Sequence, residues 1–430
     1  MRVIKAYSIP IKDAPVDLID AYMEIRRKAL DYMLSKVEFK ESKAKFTLLK
    51  EDRKRLRDSL LEDWKFSKHY VDSAINTIIG LVKGWVRLHN RGKAKRKPRI
   101  TRRTVYVKRT LITYRDGVLK ISVEPRRRYL VINLKEHPWI PEEFDDVGGC
   151  LLTDERLIVV VRRETRPVNP EGWASFDVNL TNITALIGGE LRRYDLRALY
   201  HIHRVYEEKR RRIQRMMKHK PKTAKRLLEK YSRRERNRAR DFLQKLTTKI
   251  ARELQEKKLG AILENLKGIK ERTLNKGRRL NRRLSKWNAR QFQFMLSYKL
   301  TWVGLPVKLV NPAYSSRTCP RCSGRLEASE GRLMRCRECG FEADRDVVAV
   351  LNLHMWGVWV SPEGPRDHQT MRVDVWEGVD VHKSPSTPKP LPAMGSRMTS
   401  PGLVKVSTIH SSSFVFALAG WARACSRKGL

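Results

Sequence analysis

Four cysteines within 21 residues constrain this chain more than any other feature. They form two Cys-x2-Cys pairs, Cys319/Cys322 and Cys336/Cys339, separated by thirteen residues. Two such knuckles fold back so that four thiolates meet at tetrahedral corners about 2.3 Å from one ion, and zinc suits that spacing. A site closed by four sulfurs has no open coordination position, so one structural zinc is expected; the duller reading is unliganded thiols. Gly340 suits the tight turn after the second pair, and Ser323-Gly324 is a looser version after the first. Cys150 and Cys425 stand alone. The pattern is no disulfide framework and points to a reducing, intracellular compartment.

Charge is the second constraint. Lys and Arg number 92 against 47 acids, a formal net charge of +45 in 430 residues. A fold with that much uncompensated charge repels itself unless a polyanion neutralises it, with nucleic acid the first candidate and a membrane surface the second. No apolar run is long enough to span a bilayer, so no membrane partner is expected. Met1–Tyr7 alternates and then meets Pro10, which reads as a strand rather than a signal peptide. A cytoplasmic, nucleoid-associated protein is the expectation.

Along the chain a first strand at about 2–9 leads into helices marked by Leu18, Tyr22, Ile25, Ala29 and Met33, and by Val71, Ile75, Ile78, Val82 and Trp85. Short β-type runs follow at Thr104–Val107, Val118–Val123, Tyr129–Leu134 and Leu157–Val161. A small β-barrel interrupted by a helical insertion satisfies this order, and so do two separate domains. Beyond Pro170 come a hairpin (Trp173–Val178, Ile183–Ile187) and one long helical stretch, 201–260. A short strand at 261–263, a helix Ala289–Trp302, a strand Pro306–Val310 and a helix from about Asp346 to Trp356 complete the pattern. The segment from about 360 is rich in Pro and Ser and reads as poorly ordered.

Three basic runs stand out. Residues 91–110 hold ten Lys/Arg and no acid, 201–260 hold 22 against 7, and 267–286 hold nine against one. With so few acids to form i,i+4 pairs, phosphate contact is favoured over a merely solvated face. The residues expected to face nucleic acid are Lys95, Arg96, Lys97, Arg102 and Arg103, then Arg210, Arg211, Arg212, Arg233 and Arg234, then Arg278, Arg279, Arg282 and Arg283.

In so basic a chain, a carboxylate leaving a short apolar strand needs a reason. Asp177 follows Ala174-Ser175-Phe176, Glu264 follows Ala261-Ile262-Leu263, and Asp346 lies in Ala343-Asp344-Arg345-Asp346 at the start of a helix. Each alone could be a turn or cap residue. In sequence they have the order of an RNase H-like nuclease core. There, three carboxylates on adjacent strands and a neighbouring helix hold two Mg2+ roughly 3.5–4 Å apart for in-line phosphodiester cleavage. No Walker loop, HExxH or GxSxG is present.

Phe176-Asp177-Val178-Asn179, Leu263-Glu264-Asn265-Leu266-Lys267-Gly268, the four cysteines with their lead-in Tyr314–Cys319, and Ala343–Asp346 together resemble the TnpB (OrfB) proteins of insertion sequences, relatives of type V CRISPR nucleases. The resemblance spans about 1–356. It implies an α/β multidomain fold. A wedge-like β-barrel (1–14 and 96–168) would carry a helical recognition insertion (15–95), and a RuvC-type, RNase H-like nuclease domain (169–312 and 341–358) would carry a zinc ribbon (313–340), with the tail at 359–430. It implies a guide RNA from the transposon end, a double-stranded DNA target, two catalytic Mg2+ on Asp177, Glu264 and Asp346, and a companion tyrosine transposase. The family's last motif carries Asn where this chain has Val348, which takes a polar neighbour from the expected metal site and leaves Asp344 open beside Asp346. The leading expectation is a transposon-encoded, Mg2+-dependent, RNA-guided DNA endonuclease. The alternatives are a nuclease-inactive nucleic-acid-binding protein or repressor, and a transposase or recombinase with the same core.

Overall fold

A computed structural model of the chain describes residues 2–361 apart from 42, 95, 142, 268–276, 278–280 and 283, together with the backbone at 364–365 and 403–404. Lys95, Arg278, Arg279, Arg283, Cys425 and nearly all of the tail at 359–430 lie outside the described residues. The chain divides into two units, residues 1–164 with 399–430, and residues 165–398.

In the first unit β1 (Arg2–Pro10) runs into α1 (Val16–Ser35), the hairpin β2 (Val37–Lys40) and β3 (Lys43–Phe46), α2 (Lys50–Ser59) and α3 (Lys68–His89). Seven strands follow: β4 (Val105–Val107), β5 (Ile112–Arg115), β6 (Val118–Glu124), β7 (Arg128–Asn133), β8 (Asp146–Val147), β9 (Cys150–Leu152) and β10 (Arg156–Glu164). Both helical stripes read from the sequence are buried, and they meet through a Tyr22–Ser73 hydroxyl pair at 3.0 Å and an edge-on contact of the Tyr22 and Tyr70 rings. The first strand and the last of this unit pair antiparallel over their whole length, Arg2 opposite Glu164 and Pro10 opposite Arg156. Where the sequence suggests a barrel, the described residues form two sheets. β1-β10-β9-β4, with β8 on β10 and Leu403–Val404 on β1, make one sheet and β5-β6-β7 another, and no ladder among the described residues joins the two. Burial explains this: β6 and β7 alternate, with Leu119, Ile121 and Ile132 buried and Tyr129 and Val131 in solvent, which is the pattern of a sheet covered on one face.

The second unit is built on a five-stranded sheet. β11 (Gly172–Val178), β12 (Asn182–Ile187) and β13 (Glu190–Asp195) form an antiparallel meander; β14 (Leu259–Glu264) pairs parallel to β11, and β15 (Val307–Val310) parallel to β14. The order β13-β12-β11-β14-β15 puts the ends of β11 and β14 side by side. β14 is buried at every position, as a central parallel strand with both faces covered must be. The helical stretch at 201–260 is two helices, α4 (Arg197–Arg215) and α5 (Pro221–Glu256), broken by a single 3-10 turn. Pro221 dictates the break: its ring is tolerated in a first turn and would clash inside a continuous helix. α6 (Ala289–Trp302) packs against α5, and α7 (Arg345–Trp359) lies across β11, β12, β14 and β15. The α7 approach is close enough that a Cβ at Gly357 would stand 2.5 Å from the Ile262 side chain. Between β15 and α7 the cysteine segment folds as its own sheet, β16 (Leu326–Ala328), β17 (Leu333–Cys336) and β18 (Glu342–Asp344). No helix among the described residues is long and apolar enough to cross a membrane.

Candidate active site and cysteine cluster

β11, β14 and α7 each deliver one acid to the same cavity of about 410 Å³, lined by Asp177, Glu264 and Asp346 with Asn179, Trp287, Ser315, Ser316, Arg332 and Arg345. The topology does this without help from side chains. Phe176 is opposite Leu263 in the parallel ladder, so Asp177 and Glu264, one residue further along each strand, emerge together. All three acids are buried: Asp177 and Glu264 are 8% exposed and Asp346 4%. Asp177 Oδ2 accepts from Asn179 Nδ2 at 2.7 Å, and Glu264 Oε2 accepts from the Val178 N–H at 3.4 Å. Trp287 donates its indole N–H to the Val178 carbonyl at 2.9 Å and forms part of the wall.

Electrostatics separate the three. Burial, and then the neighbouring Asp346, push the Asp177 carboxyl above the ordinary range, while Asn179 and Arg332 pull the other way. Burial, and then Asp177, push Glu264 in the same direction. Asp346 carries the compensating cations: Arg332 Nη2 bonds to Oδ1, while Asn182 Nδ2 and Arg193 Nη2 reach Oδ2 at 3.1 and 3.4 Å. Two carboxyls raised by burial and then by a neighbouring acid, together with a third in the same cavity, are a donor set of hard oxygens whose ionised form a small divalent cation would stabilise.

Asp344 and Asp346 have different places. Asp344 Oδ1 accepts from the Asp346 N–H at 2.8 Å, an N-cap at the start of α7, whereas Asp346 faces the cavity. Val348 is fully buried in an apolar cluster with Leu326, Met334 and Phe341 of the cysteine segment, so its side chain serves the core rather than the cavity. Asn352 donates to the carbonyls of Ser315 and Thr318 at 2.7 and 2.8 Å, tying the lead-in of the first knuckle to α7. Arg332, Arg193, Asn182 and Trp287 had no distinguishing signal in the sequence, because one more arginine in an arginine-rich chain carries no information until the fold places it.

The four cysteine sulfurs lie within 4.8 Å of one another, with Cys319–Cys339 at 3.5 Å and Cys322–Cys336 at 3.4 Å. Tetrahedral zinc–sulfur bonds require about 3.8 Å between sulfurs, so this cluster could hold one zinc ion with little rearrangement. The two knuckles match more closely than expected: Ser323 at φ +66° and Gly340 at φ +70° both take the left-handed conformation right after the second cysteine of each pair. Cys150 is buried in the first unit, outside the cluster.

The basic residues divide. Arg96, Lys97, Arg102, Arg212, Arg233 and Arg234 are exposed. Arg103 is engaged by Asp154 and Asp20, Arg210 by the buried Glu235, and Arg211 and Arg282 by Glu207 at 3.0 and 3.6 Å. Glu235 also receives His203 Nδ1 at 2.8 Å, so Arg210 sits in a polar knot between α4 and α5.

Comparison with known proteins places this arrangement. Over 256 residues the chain is 32% identical to the TnpB-like protein MJ0751 of Methanocaldococcus jannaschii, covering 92% of that protein and 56% of this one. The chain belongs to the TnpB family. A second TnpB-like protein of the same organism, MJ1635, is 29% identical over 338 residues, 77% of this chain and 79% of that one. Residues 156–271 match a family model described as "Probable transposase" and residues 290–353 a "Cas12f1-like, TNB domain" model. Residues 18–122 match the "Uncharacterized protein MJ0013 family". This TnpB-family chain also shares its fold with the protein in a solved Cas12f1-sgRNA-target DNA complex, at a TM-score of 0.53 and 15% identity over 78% of this chain and 81% of that one.

Proposed function

We propose that this TnpB-family chain is a transposon-encoded, RNA-guided DNA endonuclease dependent on Mg2+. The observation that carries the reading is the meeting of Asp177, Glu264 and Asp346, from two parallel strands and a helix, in one cavity of a strongly basic chain. The sheet order β13-β12-β11-β14-β15 supports an RNase H-like, RuvC-type assignment for 169–312 with 341–358. The remaining boundaries follow the same reading: a zinc ribbon at 313–340, a wedge at 1–14 and 96–168, and a helical recognition segment at 15–95.

Two Mg2+ ions held by the three carboxylates would activate the attacking water and stabilise the leaving 3′-oxygen. The chain's own residues prepare that chemistry. Asp177 and Glu264 present ionisable oxygens side by side. Asn179 and Asn182 fix the rotamers of Asp177 and Asp346 by hydrogen bonds. Arg332 and Arg345 stand in the wall where an incoming phosphodiester needs positive charge. The exposed Arg96, Lys97, Arg102, Arg212, Arg233 and Arg234 would hold backbone phosphates of guide and target without reading sequence. A guide RNA and a double-stranded DNA target are the partners this reading requires, with nucleoid association as a result and strand transfer left to a companion tyrosine transposase.

The deciding experiment is to purify the protein from cells carrying its element, sequence the co-purifying RNA, and assay cleavage of matching duplex DNA with Mg2+. A discrete RNA with guided cleavage supports the proposal. RNA or DNA binding without cleavage supports a nuclease-inactive binder instead, and joining of free 3′-OH ends supports a transposase or recombinase.

A further inference from the structure

Tyr314 combines two properties that ordinary folding does not explain. It is 73% exposed, the highest value among the large apolar and aromatic side chains of the described residues. Its backbone is at φ +64°, a region that bulky L-residues rarely adopt. A turn that needs this conformation usually recruits glycine or asparagine, and a tyrosine retained for packing would be buried. The strain is imposed from outside. The Tyr314 carbonyl accepts from the N–H groups of Arg317 and Thr318 at 2.9 and 3.1 Å and from the Thr318 hydroxyl at 3.1 Å. On either side, Asn352 clamps the Ser315 carbonyl and Ser315 N–H bonds to the Pro312 carbonyl at 3.2 Å. The mount is rigid, and it holds an aromatic ring in water. Conformations of this kind, over-determined by their surroundings, concentrate where a protein meets a ligand.

The position of the mount says which ligand. Pro312, Ser315 and Ser316 all line the cavity that holds the three acids, so Tyr314 stands in the rim of that cavity. Cations flank it in sequence, where Arg317 and Arg321 are both exposed, and Arg332 and Arg345 are in the cavity wall. A flat π-face beside cations that can take phosphate is the chemistry of a single-stranded nucleic acid, whose bases stack in a sequence-tolerant way while its backbone follows positive charge. We propose that Tyr314 is a positioning residue, an aromatic platform on which one nucleobase of the strand stacks so that the adjoining backbone enters the cavity. The inference rests on the nuclease reading for its purpose, but its binding component is measurable without cleavage.

The test uses the full-length protein with its co-purified RNA and a fluorescein-labelled single-stranded oligodeoxynucleotide. Affinity is read with Ca2+ and cleavage with Mg2+. Tyr314→Gly removes the ring and relieves the backbone, so it should lower affinity and raise KM by about ten-fold with kcat little changed, while Tm stays level or rises. Tyr314→Phe should stay within about two-fold of the parent in both readouts, since stacking needs no hydroxyl. An oligonucleotide with an abasic nucleotide at the stacked position should weaken binding to the parent to the same degree and cost Tyr314→Gly nothing further. The platform is overturned if Tyr314→Gly binds and cleaves normally, if Tyr314→Phe is as impaired as Tyr314→Gly, if Tm falls in step with affinity, or if the parent does not bind the strand. Binding with this variant pattern but no cleavage in Mg2+ supports the platform and refutes the nuclease reading; normal cleavage by Tyr314→Gly does the reverse.

Discussion

Asp177→Asn should stabilise the metal-free protein distinctly more at pH 8 than at pH 5. The amide is nearly isosteric, and its oxygen can still accept from Asn179 Nδ2. What it removes is a carboxylate whose proton affinity is raised by burial and by its neighbours. A raised folded-state value means the native state holds a proton that the unfolded chain has already released. Stability is therefore present below the ordinary carboxylate range and is lost as pH rises through the raised value. Burial first, and then Asp346, push the Asp177 carboxyl from an ordinary 3.8 up to about 7, which corresponds to about 4 kcal/mol. Partial hydration of the cavity reduces what is recovered to about 2–3 kcal/mol, or roughly 5–10 °C for a unit of this size. Intrinsic-fluorescence melts in magnesium-free buffer at pH 5 and pH 8 measure the difference. Added Mg2+ should raise the Tm of the parent at pH 8 and that of the variant far less, and cleavage should be lost in the variant. An equal Tm change at both pH values, or a destabilised variant at pH 8, would refute the idea that Asp177 is held against its charge.

Elemental analysis should find close to one zinc per chain, reduced sharply in Cys336→Ser and unaffected in Cys150→Ala. Alanine at the exposed Arg233 and Arg234 should flatten the log–log salt dependence of nucleic-acid affinity by about 0.9 per lost phosphate contact, read by titration at several salt concentrations. Arg210→Ala should instead lower Tm, because it removes the arginine partner of the buried Glu235 and leaves it His203 among the described residues. Gly357→Val should lower both Tm and cleavage, since the new side chain would force α7, and with it Asp346, away from Ile262.

Local chemistry was legible in the sequence and long-range placement was not. The cysteine spacing and the strand-end position of Asp177 and Glu264 announce themselves because they are matters of a few consecutive residues. β13 escaped notice: Glu190–Asp195 has two adjacent arginines and no clean alternation, and it becomes a strand only because β12 offers it an edge. The choice between Asp344 and Asp346 was open because residues two apart at a helix start look alike until one caps the helix and the other turns inward. Val348 reads as a lost polar neighbour along the chain and as a core residue in space, because the cysteine segment that covers it is brought there by the fold. The split of the basic runs into paired and exposed arginines depends on partners as distant as Arg103 and Asp154, which no local window contains.

The cavity draws its acids from far apart in the chain. Asp177 is 169 positions ahead of Asp346 (346 − 177), and the cysteine segment is the last thing made before the third acid. At about 5–20 residues per second, a ribosome that has just released β11 needs roughly 10–30 s more to supply α7. During that interval the nascent chain has its first acid but not the complete set, so the proposed metal-binding cavity cannot yet form. A product truncated anywhere before α7 lacks the third acid as well. On the nuclease reading, the order of synthesis builds in a delay: the third acid arrives only after most of the basic surface has been made.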